Sequence, residues 1–406
     1  MTVVPIQTSS RLRDIVRAAI AEGLRLFFPL AALHAAVWPL SWVAGWQLGL
    51  PFAHNTLPAH WHAQEMLIGS FGAAVLGFLT TALPEWTDTE GFKGKPLLIL
   101  AGLWTSARLI GLFGIDAAIL LGGILDQVWL VFLVSYAACL GWKKRTIGLI
   151  GFVLLLATLA IAAGLLRFSM LTDTYDLAER AIRLMQYAFL GLLGLALARI
   201  TVPITNRVLD PSEETSPYRP HPGRINLAPG LAGLLIAAEF SGFSDAVCGY
   251  LMLATGAAFL DRVAEGFIGR EGWRFEVAGL WLSSLLAGLG CLLAGLGRIG
   301  LDIPTLGGLH LMLMGGLGLG VLQVLSIAGL LHTGQSLGFS RLTRAAILCL
   351  LGAVTLRVVP EFWPSLNLPG GQHSLSSIAW AAAFILWLCA YLPPLWSTAT
   401  IDQDRC

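Results

Sequence analysis

About twelve times along this chain an apolar stretch of membrane length gives way to a short polar break. The blocks run roughly over residues 24–46, 62–84, 96–113, 117–141, 146–167, 180–202, 226–241, 244–264, 276–298, 304–331, 341–361 and 373–396. With 56% hydrophobic and only 12% charged residues, a water-soluble domain of this size is excluded. The expected fold is all-α, a polytopic membrane helix bundle. The seventh block is short, reaching only about 24 Å at the helical rise, the length of a half-span or a tilted interfacial helix.

Lys and Arg stay on the cytoplasmic side of short loops and therefore set the orientation. They fall on alternate connections: Arg11, Arg13 and Arg17, then Lys93 and Lys95, Lys143 to Arg145, Arg207 with Arg219 and Arg224, Arg262 with Arg270 and Arg274, and Arg341 with Arg344. The loops around 47–61, 114–116, 241–244 and 362–372 contain neither residue. Both termini are thus expected in the cytoplasm, which requires an even number of spans and retains the seventh block. The chain divides into an amphipathic cytoplasmic segment (1–23), a first six-helix half (24–204), a proline-rich cytoplasmic linker (205–226), a second half (227–396) and a tail (397–406).

No removable signal peptide is expected, because the first residues lack an apolar core followed by a small-residue cleavage site. The six cysteines, Cys139, Cys248, Cys291, Cys349, Cys389 and Cys406, form no C-x-x-C pair. Zinc-finger spacing, iron–sulfur spacing and covalent haem attachment are excluded on that ground. A formal charge of +1 without a basic cluster argues against nucleic acid.

Ionisable side chains inside membrane helices are rare and usually functional. His34, His62, His310, His332 and His373 lie in or at the rims of spans, whereas His54, His60 and His221 are read as solvated loop residues. Imidazole is the usual axial ligand of non-covalent haem and a common copper ligand. His310 and His332 sit about 40° apart around one helix and about 33 Å apart along it, near opposite surfaces. An outer site built from His62, His310 and His373 is geometrically possible. Glu65, one turn from His62, is its candidate catalytic, proton-handling carboxylate. His332 and His34 are further candidate ligands at the inner end and the middle. The glycines after His310, Gly315, Gly316, Gly318 and Gly320, permit either close helix packing or a flat macrocycle against the backbone.

Other intramembrane charges have candidate partners. Arg108 and Asp126 are expected to pair, either as a structural couple or with Arg108 clamping a haem propionate. Arg357 is a second propionate candidate or an interfacial anchor. Glu239 and Asp245 flank the external turn at 240–244 and are read as solvated.

Several stretches resemble the NnrS family of membrane proteins, which is associated with haem, copper and the response to nitric oxide. They are Leu26-Phe27-Phe28-Pro29-Leu30, Trp61-His62-Ala63-Gln64-Glu65-Met66, Gly77 to Thr87, Ala198 to Asn206, His310 with its glycine-rich span, and Leu331-His332-Thr333-Gly334. Their succession covers nearly the whole chain. One departure stands out: family members commonly carry a histidine where this chain has Gln64, a poor metal ligand. A metal bound there in relatives would be lost here or moved to His60 or His54.

The resemblance implies haem b, with copper as a further candidate, and a role in nitric oxide tolerance or denitrification. Reduction of nitric oxide in a bacterial inner membrane, with a quinol or other electron donor and the lipid bilayer as surroundings, is the leading expectation. A non-catalytic nitric oxide binding protein and a secondary transporter built of two six-helix halves are the competing ones.

Overall fold

The computed structural model describes residues 8–221 and 223–401. These residues form helices and connecting turns, with no strand among them. Helix α1 (Thr8–Ala19) precedes the spans. Eleven helices are long and apolar enough to cross a membrane. They are α2 (Gly23–Gly45), α3 (Pro58–Thr87), α4 (Lys95–Phe113), α5 (Asp116–Lys143), α6 (Ile147–Thr172) and α7 (Tyr175–Leu209), then α9 (Asp245–Gly266), α10 (Phe275–Arg298), α11 (Thr305–Leu331), α12 (Arg341–Phe362) and α13 (Gln372–Leu395). The protein is a multi-pass membrane protein.

Between these two sets lies α8 (Arg224–Phe240), at 17 residues the short helix that the seventh block foreshadows. It nonetheless covers the same depth as α9. Arg224 at its start pairs with Asp261 near the end of α9 at 2.8 Å. At its other end Glu239 shares Arg298 with Asp245, the first residue of α9, at 3.0 and 2.9 Å. Glu239 is thereby buried and also held by Arg183 at 2.9 Å, which corrects the reading of it as solvated; Asp245 is exposed as expected.

Helix breaks follow the sequence. Asp88 at φ 47° and Gly114 at φ 62° end α3 and α4 in the left-handed conformation, which stops the hydrogen-bond ladder. Ser244 and Ser340 cap the starts of α9 and α12 by accepting from Val247 N and Thr343 N.

In lipid there is no hydrophobic drive between helices, so close backbone approach replaces it. The glycines of α11 serve this end: a Cβ on Gly316 would lie 2.6 Å from Ala287 Cβ, and one on Gly308 2.5 Å from Ala294 N, both on α10. Of the two readings of that glycine run, helix packing is the one realised. Leucine and isoleucine side chains such as Ile99, Leu120, Ile124, Leu154 and Ile161 are exposed on the bundle's outside, where lipid would cover them.

The two halves meet along a seam, with α13 packed on α2. On the face carrying the Lys- and Arg-rich connections, the buried guanidinium of Arg25 in α2 fastens that seam. It donates to His332 O at 2.5 Å, Leu395 O at 3.1 Å and Thr400 O at 2.7 Å, and pairs with Glu22 at 3.1 Å. Trp396 Nε1 returns a bond to Arg25 O at 2.9 Å.

Candidate functional site

At the opposite, outer end of the seam lies a largely apolar cavity of about 350 Å³. Four of the residues singled out in the sequence, His62, His310, His373 and Arg357, are on its wall. They come from α3, α11, α12 and α13, and helix direction alone placed all four on this side. Leu306, Leu309, Leu313, Met314, Phe71 and Trp42 supply much of the apolar surface.

His310 and His62 are held in different ways. His310 Nδ1 lies 2.9 Å from Leu306 O, one turn back on its own helix. A carbonyl can only accept, so Nδ1 carries the proton and Nε2 presents a lone pair. That Nε2 has no hydrogen-bond partner among the described residues. His62 is stacked on Trp42, with ring centroids 4.0 Å apart and an 18° interplanar angle, and its Nδ1 lies 3.4 Å from Trp38 Nε1. Arg357 bonds Glu361 through one terminal nitrogen. Gln186 Oε1 and Trp380 Nε1 are buried without a partner, and both residues line the cavity.

Three π-helical stretches surround this site: Ser41–Gly45, Glu65–Phe71 and Leu311–Gly318. The first contributes Trp42 and Val43 to the wall, the second Met66, Leu67 and Phe71, the third Leu313 and Met314. The third begins directly after His310. Each wide turn breaks the regular i→i+4 ladder, and such turns are frequent at functional sites.

The other candidates are elsewhere. Glu65 does not line the cavity, although it shares a turn with His62. Around an α-helix a residue three positions on lies about 60° to one side and one four positions on about 40° to the other. Met66 therefore goes with His62 into the cavity, while Glu65 turns into a buried ion network. Glu65 Oε1 accepts from Arg108 Nη1 at 2.8 Å, and Oε2 lies 3.1 Å from His34 Nε2. Arg108 Nη2 bonds Asp126, realising the expected pair, and Arg167 Nη2 reaches the other oxygen of Asp126 at 2.9 Å.

His34 uses both ring nitrogens, the second on Ser70 Oγ at 2.9 Å, and Arg108 uses both terminal nitrogens. Neither lines the outer cavity. Gln64 also belongs here: its Nε2 donates to Asp126 Oδ2 at 3.0 Å. His60 is largely buried near Tyr175, which corrects its reading as a solvated loop residue; His54 sits in a loop whose amides bond Asp116.

Two glycines make room for this network. A Cβ on Gly111 would lie 2.0 Å from Glu65 Oε1, and one on Gly69 2.5 Å from His34 Cε1. Gly111→Ala is expected to push Glu65 off Arg108 and to lower stability by roughly 1–3 kcal/mol, the range for overpacking. A reduced unfolding midpoint in detergent checks this, and an unchanged one contradicts it.

His332 lies at the far end of the seam. Its ring is flanked by Glu22 at 3.4 Å and Glu85 at 3.6 Å, and it lines a larger cavity of about 650 Å³. Phe28, Thr81, Trp86, Arg199 and Asn206 share that wall, so most of the stretches resembling the NnrS family meet there. A small apolar void of about 60 Å³ lies between the cavities, sharing Phe71 with the outer and Phe78 and Val324 with the inner.

The residues present fit haem at the outer cavity. A tautomer-locked imidazole, an orphan donor and acceptor, an arginine and apolar walls are what a flat macrocycle with carboxylate arms needs. They do not fit a copper ion with three protein ligands: among the described residues no three His, Cys, Asp or Glu side chains group in a way that could hold a metal. Sequence reasoning missed Trp42, Gln186 and Trp380 at the cavity, Trp38 beside His62, and Arg167 and Ser70 in the network. Trp, Gln and Ser in apolar helices carry no charge signal, and Arg167 reads as a span end.

The chain matches no curated protein. A family model described as NnrS protein matches residues 18–398, nearly the whole chain. The chain therefore belongs to the NnrS protein family.

Proposed function

We propose that the outer cavity is a haem b pocket and that the protein handles nitric oxide there, in the inner membrane of a bacterium. Family membership supports a role in the nitric oxide response. The observation that carries the haem reading is the His310 Nδ1 bond to Leu306 O, which leaves Nε2 as an available ligand on the cavity wall. When bound, haem would supply an iron able to take nitric oxide and to exchange an electron with it.

This chain's own residues do the rest. His310 would hold the iron, and Arg357 and Trp380 offer donors for the carboxylate arms. Apolar side chains exclude water and admit a small uncharged gas dissolved in lipid. Reduction of nitric oxide also needs electrons, for which a membrane quinol is a suitable donor, and protons. Both oxygens of Glu65 are committed to His34 and Arg108, so protons passing through it would have to run along that network.

Purified from haem-replete cells, the protein is expected to show a haem b Soret band. His332→Ala should leave that band in place, because His332 lines a different cavity. A colourless preparation would refute the proposal. A haem-loaded protein that binds nitric oxide but does not turn it over with a quinol would be a binding protein instead of a reductase.

The line of voids along the seam favours one alternative reading, a transporter with access alternating between the two halves. Solute counterflow in proteoliposomes made from haem-free protein would establish it. Against it, the deep charges Arg108, Arg167, Glu65 and Asp126 are paired with one another and line neither the outer nor the inner cavity of the seam.

A further inference from the structure

We infer that His62 is not a second ligand of the iron but a hydrogen-bond donor to a diatomic molecule held in the cavity, with Trp38 as the residue that fixes it in that role. The inference rests on the haem reading and specifies how its pocket is divided.

It follows from which atoms can donate. An indole N–H only donates. With Trp38 Nε1 3.4 Å from His62 Nδ1, that nitrogen must accept, so in the neutral ring the proton resides on Nε2. A proton on Nδ1 would face the indole N–H. The ring cannot swing away readily, because Trp42 stacks on it at 4.0 Å and Trp38 itself is wholly buried. His62 Nε2 has no hydrogen-bond partner among the described residues, and the residue lines the cavity.

His310 is the mirror case. Its Nδ1 proton is held by Leu306 O, and its Nε2 offers a lone pair. The cavity thus has one imidazole prepared to bind a metal and one prepared to donate a proton-bearing nitrogen. Metal-bound histidines characteristically have their remaining N–H held by a carbonyl or carboxylate, as His310 has and His62 lacks.

Trp38 also connects the two polar regions. Its ring lies parallel to His34, with centroids 6.4 Å apart and an interplanar angle of 3°, and His34 in turn is bonded to Glu65 and Ser70. The indole therefore lies between the ion network and His62, and it sets the tautomer of His62. Trp38 is a positioning residue, acting on the cavity through His62.

Carbon monoxide is a suitable probe, because its stretching frequency falls when a donor faces it. The experiment uses the full-length, detergent-purified protein, reduced and exposed to the gas, with infrared and optical readouts beside haem content. The wild type is expected to show a single-histidine spectrum when reduced and to bind the gas at once. His62→Leu should keep full haem content, raise the stretching frequency and release the gas about tenfold faster, the effect of one lost hydrogen bond.

His62→Gln, which keeps an N–H donor but is a poor iron ligand, should return both readouts toward wild type. Trp38→Phe should move them in the same direction as His62→Leu by a smaller step. The inference is overturned if the reduced wild type shows two histidine ligands and both His62 variants remove one of them. It is equally overturned if the frequency in His62→Leu matches wild type. Wild-type protein without haem would defeat the underlying haem reading, a separately recognisable result.

Discussion

His310→Ala is expected to cut haem content to below about one tenth of wild type while leaving a folded protein. The imidazole would supply the iron's protein bond, its Nδ1 proton being held by Leu306 O, whereas His62 presents its ring through a nitrogen that bears the proton, and among the described residues no three His, Cys, Asp or Glu side chains group as metal ligands. The fold should survive because His310 makes its polar bond within its own helix, to Leu306 O, and its ring faces a void. Loss of the Soret band with unchanged elution in gel filtration is the expected pair of observations. Retention of the band would move the iron site away from α11 and undo the assignment of the cavity. External imidazole restoring the band would confirm that a ligand was lost, not a packing element.

Arg108→Ala is expected to act on the whole protein. Its guanidinium joins Glu65 and Asp126, each buried, and Asp126 keeps Arg167 while Glu65 is left with His34 alone. Removing one member of a buried ion group leaves an uncompensated charge and destabilises by about 3–5 kcal/mol. That is a large share of the roughly 5–15 kcal/mol by which folded proteins are stable. The variant should fail to accumulate in membranes or should lose most of its thermal midpoint. Substituting Arg108→Met together with Glu65→Gln, which removes the stranded charge as well, should recover much of the loss. Wild-type accumulation of Arg108→Ala would mean that the network does not hold α3, α4 and α5 together.

The bundle was legible because hydropathy and the Lys and Arg bias report position relative to a bilayer, and that information survives in a single sequence. The same bias put His62, His310, His373 and Arg357 at one end, where the cavity lies. What it could not report is rotation. His34, Glu65 and Arg108 are at suitable depths but face a neighbouring network, since a change of one position turns a side chain by about 100°. The π-helical stretch starting at Glu65 adds a further turn that residue types do not announce. Gln64 shows the same limit: from the resemblance alone it reads as a missing ligand, yet in the structure its amide bonds Asp126.

Arg25 carries a consequence for the order of events during synthesis. Its guanidinium enters the membrane with the first span, but its carbonyl partners at Leu395 and Thr400 emerge some 370 residues later. Until α13 arrives, the nascent chain holds a cation whose carbonyl acceptors at Leu395 and Thr400 do not yet exist, with Glu22 as its near partner. Docking of the last helix against the first is then the step that discharges this debt, so the ring of helices closes late, and the seam with both cavities takes its final shape only at that point.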